Sequence, residues 1–153
     1  MTHEDGGTFY RRLGVRQVIN AGSWLTVLGG SLMPQPVVKA MEDASRWYVD
    51  MHELNGKAGE VIAKFTGAEA GLVTAGSAAG MLLEAAACMA GTDPEKIGSL
   101  PDTTGMKDQI LIQKKQRYGF DRCFTIPGGK LVEVGDDSGC TAQQLEEAIG
   151  PDT

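Results

Sequence analysis

Apolar positions along the chain repeat with two periods. Val37, Val38, Met41, Ala44 and Tyr48 recur near helical spacing behind Pro34 and Pro36, and proline is tolerated in the first turn of a helix. A second helix is predicted over Glu53–Phe65, with Leu54, Ala58, Val61, Ile62 and Phe65 on one stripe. Thr66-Gly67 closes it, because glycine accepts the left-handed conformation of a helix end. Gly71–Thr74 then reads as a strand and Ser77–Ala90 as a helix, ended by Gly91-Thr92-Asp93-Pro94. Glu95–Lys107 reads as loop. Gln109–Gln113 (QILIQ) and Lys130–Val134 (KLVEV) read as strands, with a short helix over Arg117–Phe124 between them. Thr141 caps a last helix over Ala142–Ile149, with Gln144 as its capping-box partner, and Gly150-Pro151 stops it. Ahead of all these, Met1–Gly14 reads as an arm, Val15–Asn20 as a short extended segment and Gly29-Gly30-Ser31 as a loop.

After the first two helices the order is strand, helix, strand, short helix, strand, helix. This alternation predicts an α/β fold: a mainly parallel sheet with flanking helices. The division expected is residues 1–50 as arm and first helix, and residues 51–153 as an incomplete sheet domain. The chain stops at GPDT, where another strand is due. A short parallel sheet with an exposed edge is a poor finished product, so the chain reads as the N-terminal part of something longer. The competing reading is a small α/β domain that dimerises.

Composition narrows the function classes. The chain has 153 residues, 42% hydrophobic and 22% charged, ordinary values for a globular domain. Its net charge of −6 argues against sequence-independent nucleic-acid binding, which wants a basic surface. Cys88, Cys123 and Cys140 are an odd set, and with only two histidines, His3 and His52, no zinc pattern fits. A reducing cytoplasm is the simplest compartment. The most apolar stretch, Ser77–Ala90, is too short to span a bilayer and contains Glu84. Asp136-Asp137 and Glu146-Glu147 read as turn and solvated helix residues, and no catalytic Ser/His/Asp set emerges from spacing.

One junction carries candidate chemistry. In GLVTAGSAAGMLLEAAACMAG, a short apolar run stops at Thr74-Ala75-Gly76-Ser77 and an alanine-rich helix begins. In open α/β sheets, ligands sit beyond the C-terminal ends of strands. The free N–H groups of a helix N-terminus favour an anion such as phosphate there. Close helix-on-sheet packing selects the same small residues, and on this stretch alone the two readings balance. Other phosphate motifs fail. Lys57 and Lys130 each follow a glycine but precede neither Ser nor Thr, and no G-x-G-x-x-G follows a strand.

Several blocks in order carry a family resemblance. They are RQVINAGSWLTVLGGSLMPQPVVKAM, VDMHELNGKAGEVIAKFTGAEAGLVTAGSAAGMLLEAAACMAG, LPDTTGMKDQILIQKKQRYGFDRCFTIPGGKLVEVG and the final AIGPDT. From about Tyr10 to Thr153 the chain resembles pyridoxal-phosphate enzymes of the aspartate-aminotransferase fold (fold type I). The nearest group is that of selenocysteine synthase (L-seryl-tRNA selenium transferase), which includes D-glucosaminate-6-phosphate ammonia-lyase. The resemblance implies that the chain is the N-terminal segment and the first part of the large, cofactor-binding domain of a longer enzyme.

It also implies roles. The turn Gly76-Ser77-Ala78 matches the one that cups the phosphate of pyridoxal 5'-phosphate. Gln116 stands where a side chain covers the pyridine ring, often His in close relatives. Asn20, Thr26 and Gly30 match an N-terminal loop that approaches the substrate, often across a dimer interface; turn chemistry explains these three equally well. The family's Schiff-base lysine and its pyridine-pairing aspartate match no position here. Lys130 sits in a Gly128-Gly129-Lys130 turn but runs into LVEV, so it reads as the start of a strand. No catalytic residue is therefore assigned. The resemblance implies β-elimination or β-replacement on an amino-acid-like or amino-sugar-acid substrate, with a tRNA-linked one less favoured by the acidic charge. A homo-oligomer is implied for the full-length enzyme. The alternative is a non-catalytic α/β binding or interaction module.

Overall fold

The computed structural model describes residues 7–153, which fall into two compact units divided between Met51 and His52. Within the first unit, α1 (Gly7–Arg12) occupies part of what reads as an arm in the sequence; residues 1–6 of that arm lie outside the described residues. Val15–Asn20 joins no strand ladder among the described residues. A 3-10 turn over Thr26–Leu28 is closed by an antiparallel bridge between Leu25 and Gly30. Pro34 then caps α2 (Gln35–Ala44), with proline in its first turn as the sequence indicates. Exposed ion pairs Lys39–Asp43 and Glu42–Arg46 run along this helix and its end.

In the second unit α3 (Met51–Thr66) ends at Gly67, whose φ of 74° lies in the left-handed region. The chain then turns back along α3, and the two backbones meet at glycines. A Cβ built on Gly59 would run into the Gly71 carbonyl oxygen. One built on Gly71 would lie 2.8 Å from the Gly59 carbonyl oxygen and 2.9 Å from Ile62. Any side chain at either position would force the segment off the helix.

Leu72–Thr74 follows, and here the sequence-based strand is corrected. The segment pairs with no strand among the described residues. Its central residue, Val73, bonds instead to the Asn55 side chain on α3. Apolar, β-prone residues show that a segment suits a sheet; they do not supply the neighbouring strand.

α4 (Ser77–Ala90) has the predicted bounds and buries Ala85, Met89 and Ala90. The expected loop after it is also corrected. α5 (Pro94–Ser99) forms because Asp93 accepts hydrogen bonds from the N–H groups of Glu95 and Lys96, with Pro94 opening the first turn. β1 (Gln109–Gln113) and β2 (Lys130–Val134) pair in parallel, from Gln109 opposite Lys130 to Gln113 opposite Val134.

Between the strands, the helix expected over Arg117–Phe124 shrinks to α6 (Arg122–Thr125), preceded by a 3-10 turn over Lys114–Gln116. The Asp121 carboxylate takes the Tyr118 N–H, an alternative partner for that stretch of backbone. α7 (Ala142–Ala148) carries the predicted capping box between Thr141 and Gln144. Beyond it, the Asp152 carbonyl accepts from the Gln109 N–H at 2.9 Å, at the start of β1. The buried apolar residues are Ala85, Met89 and Ala90 of α4, Cys123 of α6 and Val134 of β2, so α6 is wedged between helix and strand. The architecture is thus α/β with a small parallel sheet, and no helix described is long and apolar enough to cross a membrane.

The entry edge of the sheet has an ionic anchor. Asp108, buried just before β1, pairs with Lys130 Nζ at 2.8 Å and accepts from Thr103 Oγ1 at 2.6 Å. Both contacts, the Lys130 one the stronger, hold the Asp108 carboxyl below its usual range, and the Lys130 ammonium is correspondingly raised.

Two outcomes follow for the whole protein. Gly59→Ala should cost at least about 2 kcal/mol in a urea unfolding experiment, because backbone cannot yield to a new methyl group. Gly56→Ala, on the same helix with nothing within 4 Å, should be neutral or stabilising by up to about 1 kcal/mol. A folded-state carboxyl pKa below the unfolded one stabilises fully above the unfolded value of about 3.9, and that stabilisation is lost as pH falls through the folded value. Asp108→Asn should therefore lower the urea midpoint at neutral pH and flatten its fall on acidification below about pH 4.

Candidate functional site: the open start of helix α4

The crossing of Gly59 and Gly71 delivers the chain to the start of α4. Thr74 Oγ1 donates to the Gly76 carbonyl at 3.0 Å, bending the backbone into the helix. Gly76 occupies the N-cap position with φ 129° and ψ 170°, a conformation disfavoured for any residue with a side chain. The Gly80 N–H donates to the Gly76 carbonyl at 3.0 Å as the first helical bond. No side chain caps this end. The N–H groups of the first turn, at Ser77, Ala78 and Ala79, therefore have no partner within the helix.

Close packing is real, but it falls on Gly59 and Gly71. A Cβ at Gly76 would meet nothing within 4 Å, and Gly76, Ser77 and Ala78 are all exposed. Their small size leaves the helix start accessible. An uncapped N-terminus of a 14-residue helix, with partial positive charge and aligned donors, suits a phosphate dianion. The donors present thus fit the phosphate of a cofactor.

Gln116 lies just beyond the C-terminal end of β1, as the last residue of the 3-10 turn. Its cationic neighbours are all tied to β2 or to the loop after it. Lys114 pairs with Asp137 at 3.2 Å, Lys115 Nζ donates to the Ser138 carbonyl at 3.0 Å, and Arg117 NH1 pairs with Glu133. Arg117 Nε also meets the buried Asp121 carboxylate at 2.5 Å, which holds that carboxyl below its usual range and raises the guanidinium. Gln116 is exposed, and its side chain makes no hydrogen bond among the described residues. The turn is thus anchored through every long side chain but one. Sequence reading singled out Gln116 and missed the anchors, whose only signal was a cationic run placed after a strand.

Asn20, Thr26 and Gly30 belong to the first unit, whereas Gly76, Ser77, Ala78 and Gln116 belong to the second. Asn20 forms a local turn, accepting from the Gly22 N–H at 3.0 Å and donating to the Ser23 carbonyl at 3.0 Å. Thr26 accepts the Gly29 N–H through its carbonyl, and the Gly30 N–H donates to Leu25. Lys130 opens β2 and is paired with Asp108, in keeping with its reading as a strand residue. An open cavity of about 530 Å³ lies at the N-terminal ends of both strands, lined by Asp102, Thr103, Asp108, Lys130 and Asp152 among others. That is the opposite end from the one where open α/β sheets take their ligands. No group of His, Cys, Asp and Glu among the described residues is arranged to hold a metal.

No family model matches the chain. Among curated proteins, it is 38% identical over 131 residues to a 5'-C-glycyluridine monooxygenase-decarboxylase of Streptomyces, covering 82% of this chain and 33% of that protein. It is 32% identical over 148 residues to a D-glucosaminate-6-phosphate ammonia lyase of Salmonella typhimurium, covering 94% and 40% respectively. With an L-seryl-tRNA(Sec) selenium transferase of Desulfomicrobium baculatum it shares 29% over 155 residues, 90% of this chain and 30% of that protein. A solved structure of D-glucosaminate-6-phosphate ammonia-lyase superposes with a TM-score of 0.90 at 31% identity, over 95% of this chain and 40% of that one. The chain spans between 30% and 40% of the length of these relatives. By sequence and by fold it is a relative of D-glucosaminate-6-phosphate ammonia lyase, and by sequence of L-seryl-tRNA(Sec) selenium transferase, matching part of each.

Proposed function

We propose that the chain is the N-terminal part of a pyridoxal-phosphate enzyme of the selenocysteine-synthase-like group and carries the cofactor's phosphate site. The observation that carries this is the open, uncapped start of α4 at Gly76-Ser77-Ala78, in a chain that superposes on the ammonia-lyase structure. The first-turn N–H groups and the Ser77 hydroxyl hold the phosphate, and Gly76 keeps the approach clear. Gln116 covers or hydrogen-bonds the ring from the anchored turn after β1. Asn20, Thr26 and Gly30 face the substrate. On this reading residues 1–50 are arm and first helix. Residues 51–153 are the incomplete large domain of an aspartate-aminotransferase-like, fold type I enzyme.

When bound, pyridoxal phosphate supplies an electron sink for the carbanion left by loss of a substrate's α-proton. Loss or replacement of a β-leaving group is the proposed outcome, as lyase or transferase. The relatives' names support both classes, one an ammonia lyase and the other a selenium transferase. The proposed substrate is a small amino-acid-like or amino-sugar-acid molecule rather than a tRNA-linked one, given the net charge of −6. A cytoplasmic homo-oligomer completes the proposal. The Schiff-base lysine is assigned to sequence other than these residues, since Lys130 is held by Asp108. These residues alone are therefore proposed to bind without catalysing.

The test is a titration of the whole protein with pyridoxal phosphate and, separately, with NAD. Saturable binding of the first, competed by inorganic phosphate, and none of the second are expected. Gly76→Val should weaken pyridoxal-phosphate binding at least about tenfold, the equivalent of one or two lost hydrogen bonds. No binding, or an unchanged affinity in Gly76→Val, would leave the non-catalytic α/β module as the better account.

A further inference from the structure

Leu72–Thr74 runs beside α3 with no strand next to it among the described residues. An extended backbone still presents donors and acceptors that need partners. At Val73 one side chain meets both. Asn55 Oδ1 accepts the Val73 N–H at 3.1 Å, and Asn55 Nδ2 donates to the Val73 carbonyl at 3.0 Å. A primary amide carries donor and acceptor side by side as a peptide group does, so Asn55 stands in for the missing strand at that residue.

The placement is commensurate with the glycine crossing. Asn55 precedes Gly59 by four residues on α3, a rise of about 6 Å on the same face. Val73 follows Gly71 by two residues of extended chain, about 6.6 Å. The segment therefore runs antiparallel to α3, with two fixed points at matching spacing: a backbone contact at Gly59–Gly71 and a two-way hydrogen bond at Asn55–Val73. Thr74 then bonds to Gly76, so three residues, Thr74, Ala75 and Gly76, lead from this clamp to the start of α4.

We infer that Asn55 is a positioning residue for the anion site: it fixes Val73, and through Thr74 it sets the approach of the chain to Gly76-Ser77-Ala78. The role rests on the reading of that turn as a phosphate site. The hold of Asn55 on the segment does not.

The experiment compares Asn55→Ala and Asn55→Asp with wild type in the whole protein. It reads the dissociation constant for pyridoxal phosphate and the hydrogen exchange of the peptide covering residues 72–79. Asp has nearly the shape of Asn and still accepts the Val73 N–H, but it sets a carboxylate oxygen against the Val73 carbonyl. A side chain that merely filled space would be replaced by Asp without loss. We expect both variants to bind about fivefold or more weakly: Ala loses both neutral hydrogen bonds, whereas Asp loses one and sets a carboxylate oxygen against the Val73 carbonyl. Exchange should quicken at 72–79 and stay unchanged in the β1 and β2 peptides. If Asn55→Ala does not fold, Asn55→Asp carries the test alone. Wild-type affinity in Asn55→Asp, or unchanged exchange at 72–79, overturns the inference while leaving the function reading intact. Failure of wild type itself to bind pyridoxal phosphate overturns the function reading and the positioning role together.

Discussion

The candidate site depends on a contact between two stretches of backbone. At Gly59 and Gly71 the returning chain lies against α3 with no side chain between them. That approach brings the chain within reach of the short Asn55 side chain, which then satisfies Val73. From there the geometry at Thr74 and Gly76 follows over a few residues. A bulkier residue at either glycine would push the segment outward and break the amide pair, so the two contacts act as a unit. Close packing and an accessible helix start are consequences of one arrangement, with the packing glycines set a few residues upstream of the open one.

The parallel pair shows a similar division between its two ends. At the entry end, Asp108 joins Lys130 and Thr103 across the starts of both strands, and the Asp152 carbonyl meets β1. At the exit end, Lys114, Lys115 and Arg117 reach from the turn after β1 to β2 and the loop beyond it. Exposed ion pairs of this kind contribute little stability individually. Their joint effect is geometric, because three tethers within four residues leave the turn few alternative conformations. Gln116 lies inside that tethered run with its amide unengaged, the condition under which a side chain can serve a ligand.

Much of this was legible in the sequence, and the failures have identifiable causes. α4, β1 and β2 have their predicted bounds, and the capping box of α7 is present with both of its bonds. Each was marked by local chemistry: a helix-length apolar run, a β-rich apolar run, or a cap at fixed offset. Leu72–Thr74 was misread as a strand because a strand needs a neighbour, and composition reports only suitability. α5 was missed although Asp93-Pro94 supplies a cap and a first-turn proline; those two residues were read as the end of α4 and also begin the next helix. The helix over Arg117–Phe124 shortened because Asp121 binds the Tyr118 N–H and the Arg117 guanidinium at once, local pairings three and four residues back that offer this backbone an alternative to helix. Gly76, Ser77 and Ala78 were legible as a candidate anion site. Asn55 was not, since an asparagine mid-helix reads as an indifferent helix former until its partner eighteen residues on is seen.

The composition of α4 can now be read along its length. Its first residues are small and exposed, whereas Ala85, Met89 and Ala90 farther along are buried, on a helix that packs against α6, which in turn packs on β2. Alanine serves both halves for different reasons. In the later half, short side chains let the helix axis approach α6 closely. In the first turn, they keep the backbone donors from being covered. The buried half fixes the direction of the helix, and therefore the direction of its dipole and of its free N–H groups. An anion at Gly76-Ser77-Ala78 would thus meet donors oriented before it arrives, so that little ordering is left to oppose binding.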